Sequence, residues 1–151
     1  NEYVGLNNRM TDIHAAIGRV QLTKLAGWTK TRQENAAFLS ANITEAVTPT
    51  VPEGYVHVYH QYTIRLEGVS GEERDRFVAA LKDEHQVGSG VYYPIPNHRL
   101  PSLAPYAPGL ELPNTEKVAA ECVSLPVHPS LSQADLERIV AGVNACAKAG
   151  A

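Results

Sequence analysis

Apolar positions along this chain change period several times, and the changes divide it into elements. Thr11-Asp12 offers an N-cap, and Ile13, Ala16, Ile17 and Val20 then hold one helical face as far as about Leu25. Gly27 is expected to break or bend this helix. A second helical face follows in Trp28, Arg32, Ala36, Leu39 and Ile43. Pro49 and Pro52 mark a turn region over 48–54 and a boundary. Residues 57–66 then alternate and predict a strand, with Val58, His60, Tyr62, Ile64 and Leu66 on one side. Ser70-Gly71-Glu72-Glu73 has capping-box spacing and opens a helix that buries Phe77, Ala80 and Leu81. Gly88 and Gly90 close it and lead to a short strand over 91–93. Prolines at 94 and 96 forbid a continuing ladder, and those at 101, 105, 108 and 113 make 99–113 an irregular excursion. Asn114 is expected to cap a short helix reaching Cys122, and 124–127 reads as a brief strand. Ser132 starts the last helix, with Leu131 placed to staple onto Leu136 and a buried stripe of Leu136, Ile139, Val140 and Val143. The pattern is α+β, with few strands, mostly antiparallel, and helices covering one face.

Composition narrows the function classes. The chain has 151 residues, 44% hydrophobic and 19% charged, enough for one globular domain with a core, or a small domain plus an appendage. Its net charge is −3, and the 13 Lys and Arg are scattered, which argues against a nucleic-acid partner. No apolar run approaches a membrane span and no signal peptide is visible. Cys122 and Cys146 both fall in helical patterns, so a reducing cytoplasm suits the chain better than a disulfide framework.

Candidate chemistry concentrates in two stretches. The chain opens without Met on a polar loop that runs directly into a helix, and it reads as the middle of a longer polypeptide. In that loop Asn7 and Arg9 supply amide and guanidinium donors just ahead of a helix start, an anion-binding arrangement that makes half a site. The second stretch is Tyr92-Tyr93-Pro94-Ile95-Pro96-Asn97-His98, where two aromatics, a rigid proline pair and an imidazole suit a group held over a ligand. The same residues also suit a hydrophobic edge with a surface histidine. Six histidines are present, but His57 and His60 fall on opposite faces of a strand and no Cys or carboxylate stands at ligand spacing, so no metal is expected. Nucleophile elbows, P-loops and dinucleotide fingerprints are missing.

Gly5-x-Asn7-x-Arg9-Met10-x-Asp12-Ile13-x-Ala15-Ala16-Ile17-Gly18-x-x-Gln21-Leu22-x-Lys24-Leu25 resembles a segment from the middle of the DegT/StrS-type sugar aminotransferases, pyridoxal-phosphate (PLP) enzymes of the aspartate-aminotransferase fold. Arg32, Asn35 and Ala36, then His60-Gln61-Tyr62-Thr63-Ile64-Arg65, continue the likeness. So do Gly90-Val91-Tyr92-Tyr93-Pro94-x-Pro96-x-His98, Leu112-Pro113-x-Thr115-Glu116 and Ser124-Leu125-Pro126-Val127-His128-Pro129-x-Leu131-Ser132. The resemblance covers essentially the whole chain.

It implies the C-terminal portion of a fold-type I PLP enzyme: the end of the large domain and two connecting helices over 1–47, then a small α+β domain over 48–151. It further implies transfer of an amino group, with glutamate as donor, to a nucleotide-linked keto-sugar in polysaccharide or antibiotic-sugar biosynthesis. The partner implied is a second copy, in a homodimer with shared active sites. The Schiff-base lysine would lie outside this chain, since Lys24, Lys30, Lys82, Lys117 and Lys148 match none of the family's contexts for it. Asn7 and Arg9 would bind cofactor phosphate across the dimer, and Tyr92, Tyr93, His98 and His60 would bind substrate. Tyr92 departs from the histidine frequent at its position. The alternatives are a non-catalytic binding or dimerisation module and, within the family, a sugar dehydratase with histidine replacing the lysine.

Overall fold

A computed structural model describes residues 8–149 of the chain. Helix α1 spans Asp12–Asn42, opened by Thr11, whose hydroxyl accepts the backbone N–H of His14. Gly27 neither breaks nor bends it into two, contrary to the sequence expectation. One glycine costs a helix interior about 1 kcal/mol, less than a break would cost in lost hydrogen bonds.

The end of α1 is fixed from a distance. Asn144, on the last helix, accepts from the backbone N–H of Thr44 (2.9 Å) and Glu45 (3.3 Å) and donates to the Asn42 carbonyl (3.0 Å). The Asn42 carbonyl is one of those that a helix C-terminus leaves unsatisfied, and the two N–H groups belong to the chain just past the helix.

The sheet is small. β1 (Tyr62–Arg65) pairs antiparallel with β2 (Cys122–Leu125), with Tyr62 opposite Leu125 and Arg65 opposite Cys122. Single bridges extend it on both sides, Val47 to Arg65 and Gly90 to Ser124. β1 is shorter than the alternation over 57–66 predicted. Residues before it are held by α1 instead: Gln33 donates to the His57 carbonyl and Arg32 to those of Tyr59 and His60, and Tyr59 takes a left-handed conformation at φ 46°. The predicted strand over 91–93 is likewise absent, because only Gly90 bonds to β2. Cys122 begins β2 rather than ending a helix.

Helix α2 (Gly71–His85) starts at the predicted capping box, with Ser70 and Glu73 exchanging side-chain-to-backbone bonds. It ends at Gln86 in the left-handed region. Helix α3 (Pro113–Glu121) begins with proline in its first turn and has Leu112 at the cap position, so Asn114 lies inside it. Helix α4 (Gln133–Ala149) follows Ser132, which bonds to Asp135. α4 packs on α2 and on the second half of α1. At the α2–α4 crossing a Cβ on Gly142 would lie 2.9 Å from Leu81 Cδ1 and 3.0 Å from His85 Cβ, so a larger residue there would push these side chains aside.

The core joins α1 (Ala36, Leu39, Ile43), the sheet (Tyr62, Ile64, Val123, Leu125), α2 (Phe77, Leu81) and α4 (Leu136, Ile139, Val143). A buried ion pair lies beside it. Glu121 is buried at the end of α3 and accepts from Arg65 (2.7 Å) and from the Gly68 N–H (3.0 Å). Burial alone would raise its carboxyl, but these donors and Lys117 hold it below the usual range. Burial raises the thiols of Cys122 and Cys146, both free.

Candidate functional site

Two neighbouring clefts share Tyr92 as a wall. The first, of about 420 Å³, lies between the 92–98 loop and the exposed side of α3, where Thr115, Val118 and Ala119 face it. Tyr92 and Tyr93 are exposed, Tyr93 at 79%, so two aromatic rings stand open to a ligand. Gly90 permits this placement, since a Cβ there would sit 2.6 Å from the Tyr92 ring. The loop turns through a single 3-10 turn, Asn97–Arg99, led by Pro96.

Glu116, on the first turn of α3, holds that loop. Its Oε1 accepts from His98 Nε2 (2.9 Å) and from Arg99 Nε and Nη2 (3.0 and 2.7 Å). The bonds from His98 and then Arg99 lower the Glu116 carboxyl from 4.5 to about 2. An ionised carboxylate only accepts, so Nε2 of His98 carries a proton. The His98 side chain is only 6% exposed, although it lines the cleft. The structure thus places His98 as a strut beneath the rim, with Tyr92, Tyr93 and Asn97 more open to solvent. Glu116 and Arg99 carried no role in the sequence reading, because the bonds that give them one cross 17 and 18 residues.

The second cleft, of about 570 Å³, runs between α1, residues 60–61, residues 88–92 and the end of β2. His60 lies here, exposed, rather than with Tyr93 and His98. Another cleft, of about 410 Å³, is lined by Glu45, Glu67, Glu73 and Lys148 and includes none of the predicted site residues.

Arg9 is exposed just ahead of α1. Asp12 and Arg32 lie twenty steps apart, about 30 Å along the helix, so Arg9 stands far from the cleft that Arg32 lines. Asn7 lies outside the described residues. The donors at this end are the Arg9 guanidinium and the amides of the first turn of α1, a set that suits a phosphate group. Among the described residues, no group of three or more His, Cys, Asp and Glu could hold a metal ion. No described helix is long and apolar enough to cross a membrane.

Comparison with known proteins agrees with this architecture. The chain is 38% identical over 144 residues to a pleiotropic regulatory protein of Geobacillus stearothermophilus, covering 91% of this chain and 37% of that one. It is 30% identical over 146 residues to a dTDP-3-amino-3,6-dideoxy-alpha-D-galactopyranose transaminase of Aneurinibacillus thermoaerophilus, covering 95% and 38%. Among solved structures, S. venezuelae DesV, in complex with a ketimine intermediate, superposes with a TM-score of 0.85 at 28% identity, over 97% of this chain and 39% of that one. NtdA of Bacillus subtilis, with its cofactor PMP bound, gives 0.83 at 27% identity, over 95% and 34%. The chain therefore spans less than two-fifths of the length of these relatives. PLP is the cofactor of such enzymes, and PMP is its amino form. A sequence model of the DegT/DnrJ/EryC1/StrS aminotransferase family matches residues 1–144, and the chain belongs to that family.

Proposed function

We propose that this chain is the C-terminal portion of a PLP-dependent aminotransferase that moves an amino group from glutamate to a keto-sugar carried on a nucleotide. The observation that carries the reading is the family match over residues 1–144, joined to an open aromatic cleft on the small domain. PLP, when bound, supplies the electron sink for the amino transfer. Arg9 and Asn7 would contact its phosphate, in the site of a partner subunit. Tyr92 and Tyr93 offer flat apolar faces and hydroxyls to a sugar nucleotide. His98, held by Glu116, fixes the rim on which they stand. The lysine that anchors the cofactor would lie outside these 151 residues, so this chain alone would be inactive.

The first half of α1 supports the same assembly. Ile13, Ile17 and Val20 are exposed on one face of the helix and Leu22 on the opposite one, apolar surface of the kind that interfaces use. In this reading, residues 1–47 complete a large domain and the dimer, while 48–151 form the small domain. A second reading has one specific support: the relative at 38% identity is described as a regulatory protein. On that reading the chain is a binding or dimerisation module without turnover.

The test is the full natural-length protein, loaded with PLP and mixed first with glutamate and then with keto-sugar nucleotides. Conversion of the cofactor absorbance by glutamate, reversed by one keto-sugar nucleotide with appearance of an amino sugar, is expected. A protein that binds PLP yet shows neither half-reaction with any donor or sugar would overturn the aminotransferase reading in favour of the module.

A further inference from the structure

We propose that the cleft bounded by Arg32, His60, Gln61, Ser89 and His128 is a binding subsite for a small oxyanion, a carboxylate or phosphate group. The inference extends the proposed function by giving the substrate side a charged pocket, but its test needs no turnover.

Four observations converge on it. The chain has 16 acidic residues against 13 basic ones, yet no Asp or Glu lines this cleft. Arg32, half-buried on α1, uses only Nη1, which donates to the carbonyls of Tyr59 (3.0 Å) and His60 (3.4 Å). Its Nε and Nη2 find no acceptor, and the guanidinium has no carboxylate partner among the described residues. These N–H groups are not buried, so they remain open to an anionic ligand entering the cleft. The hydroxyl of Ser89 is buried without a hydrogen-bond partner. Such orphans are rare in native structures, and this one can turn toward a ligand without breaking a bond. Finally, the side chains of Gln61 and His128 make no hydrogen bond among the described residues, leaving an amide and an imidazole available at the rim.

The donor chemistry selects the ligand class. A planar guanidinium already anchored through one nitrogen presents its remaining N–H groups in the fork that matches a carboxylate or phosphate. Hydroxyl and amide groups supply neutral donors beside it. Tyr92 separates this cleft from the aromatic one, so a ligand with a charged group and a flat ring can occupy both at once. The anchoring bonds to Tyr59 and His60 also explain why the chain leaves the sheet before β1. The same contacts that shorten the strand build the wall of the subsite.

The experiment titrates inorganic phosphate, glutarate and UDP separately into the full natural-length protein at low salt, by calorimetry. Saturable one-site binding of at least one probe is expected. Arg32→Gln should weaken it by about 10-fold or more, the loss of a charge-assisted contact of about 1.5–3 kcal/mol. Because Arg32 also supports Tyr59 and His60, Ser89→Ala is the second variant. It should weaken binding by about 2–10-fold while leaving the melting temperature of the ligand-free protein unchanged or higher, since no bond is lost. Glutarate binding that UDP does not displace assigns a carboxylate; displacement by UDP assigns a nucleotide phosphate; both support the subsite. No saturable binding of any probe, or binding that neither substitution alters, overturns it. An enzyme that binds oxyanion here but transfers no amino group would retain the subsite and lose only the proposed reaction.

Discussion

The two halves of α1 are one helix with two fates. From Gln33 onward it packs into the small-domain core, where Ala36 and Leu39 have no exposed surface. Before Trp28 its apolar side chains stand in solvent, with Ile13 at 73% and Leu22 at 68% exposure. Backbone geometry is the same throughout, so helix propensity does not separate them. What differs is whether a neighbouring element arrives: α4 covers the second half and nothing described covers the first. A buried stripe reports a core within the chain, and exposed apolar residues on more than one face of the same helix mark surface built to be covered.

The sharpest break of this contrast is a pair of truncations. Leu39→Ala should cost about 2–5 kcal/mol, since it removes a fully buried side chain and leaves a cavity. Leu22→Ala should change stability by less than about 0.5 kcal/mol in this chain. Urea unfolding followed by circular dichroism measures both. Equal effects would mean that the first half is already packed. In a longer protein or a dimer, Leu22→Ala should instead weaken association, which sedimentation would detect.

Polar anchors of the buried half come next in size. Asn35 is buried and donates to the His128 carbonyl at 3.1 Å, and Asn144 closes the end of α1. Asn35→Ala or Asn144→Ala should each cost about 1–3 kcal/mol, because backbone groups lose their partners. Denaturation midpoints that stay at the parent value would show that water replaces these bonds without penalty.

These anchors also show what the sequence could not reveal. Local signals were legible: the Ser70–Glu73 capping box, the α4 stripe and the α+β order all follow from spacing within a few residues. Pairings across long separations were not. Asn144 acts 100 residues from Thr44, and Arg65 reaches Glu121 across 56. The alternation over 57–66 predicts one strand because nothing local shows that Arg32 and Gln33 compete for those carbonyls. At the candidate site the resemblance picked out Tyr92, Tyr93 and His98 by position. The shielding of His98 depended on Glu116, whose carboxylate carries no marker of its partner.

Acid separates the regions differently. Apolar burial around Leu39 does not titrate, whereas the 97–99 loop is tied to α3 through Glu116. Its carboxyl is lowered from 4.5 to about 2 in the folded chain. The tie therefore contributes fully above about pH 4.5 and is lost as pH falls toward 2, when the folded carboxyl takes up its proton. Glu116→Gln should flatten the acid limb of the stability curve over that range, while Leu39→Ala lowers the curve evenly at all pH values. Thermal melts between pH 2 and pH 7 distinguish the two. An acid limb unchanged by Glu116→Gln would mean that another carboxylate dominates there.

The smallest effect tests the junction between the halves. Gly27 lies within the continuous helix, beside Trp28, and a Cβ placed there meets no atom within 4 Å. Alanine loses less backbone entropy on folding and is the better helix former, so Gly27→Ala should raise stability by about 0.5–1 kcal/mol. A modest rise in melting temperature, with unchanged helical content, is the expected result. If glycine instead served as a hinge between two helices, alanine would give no gain, because the residue would not be helical in the dominant state. If the exposed half is covered in a longer or dimeric protein, the same substitution tests how closely. A gain in the chain that becomes a loss in the assembly would place a partner's backbone against Gly27. A gain in both would leave the contact to the side chains of Ile13, Ile17 and Leu22 alone.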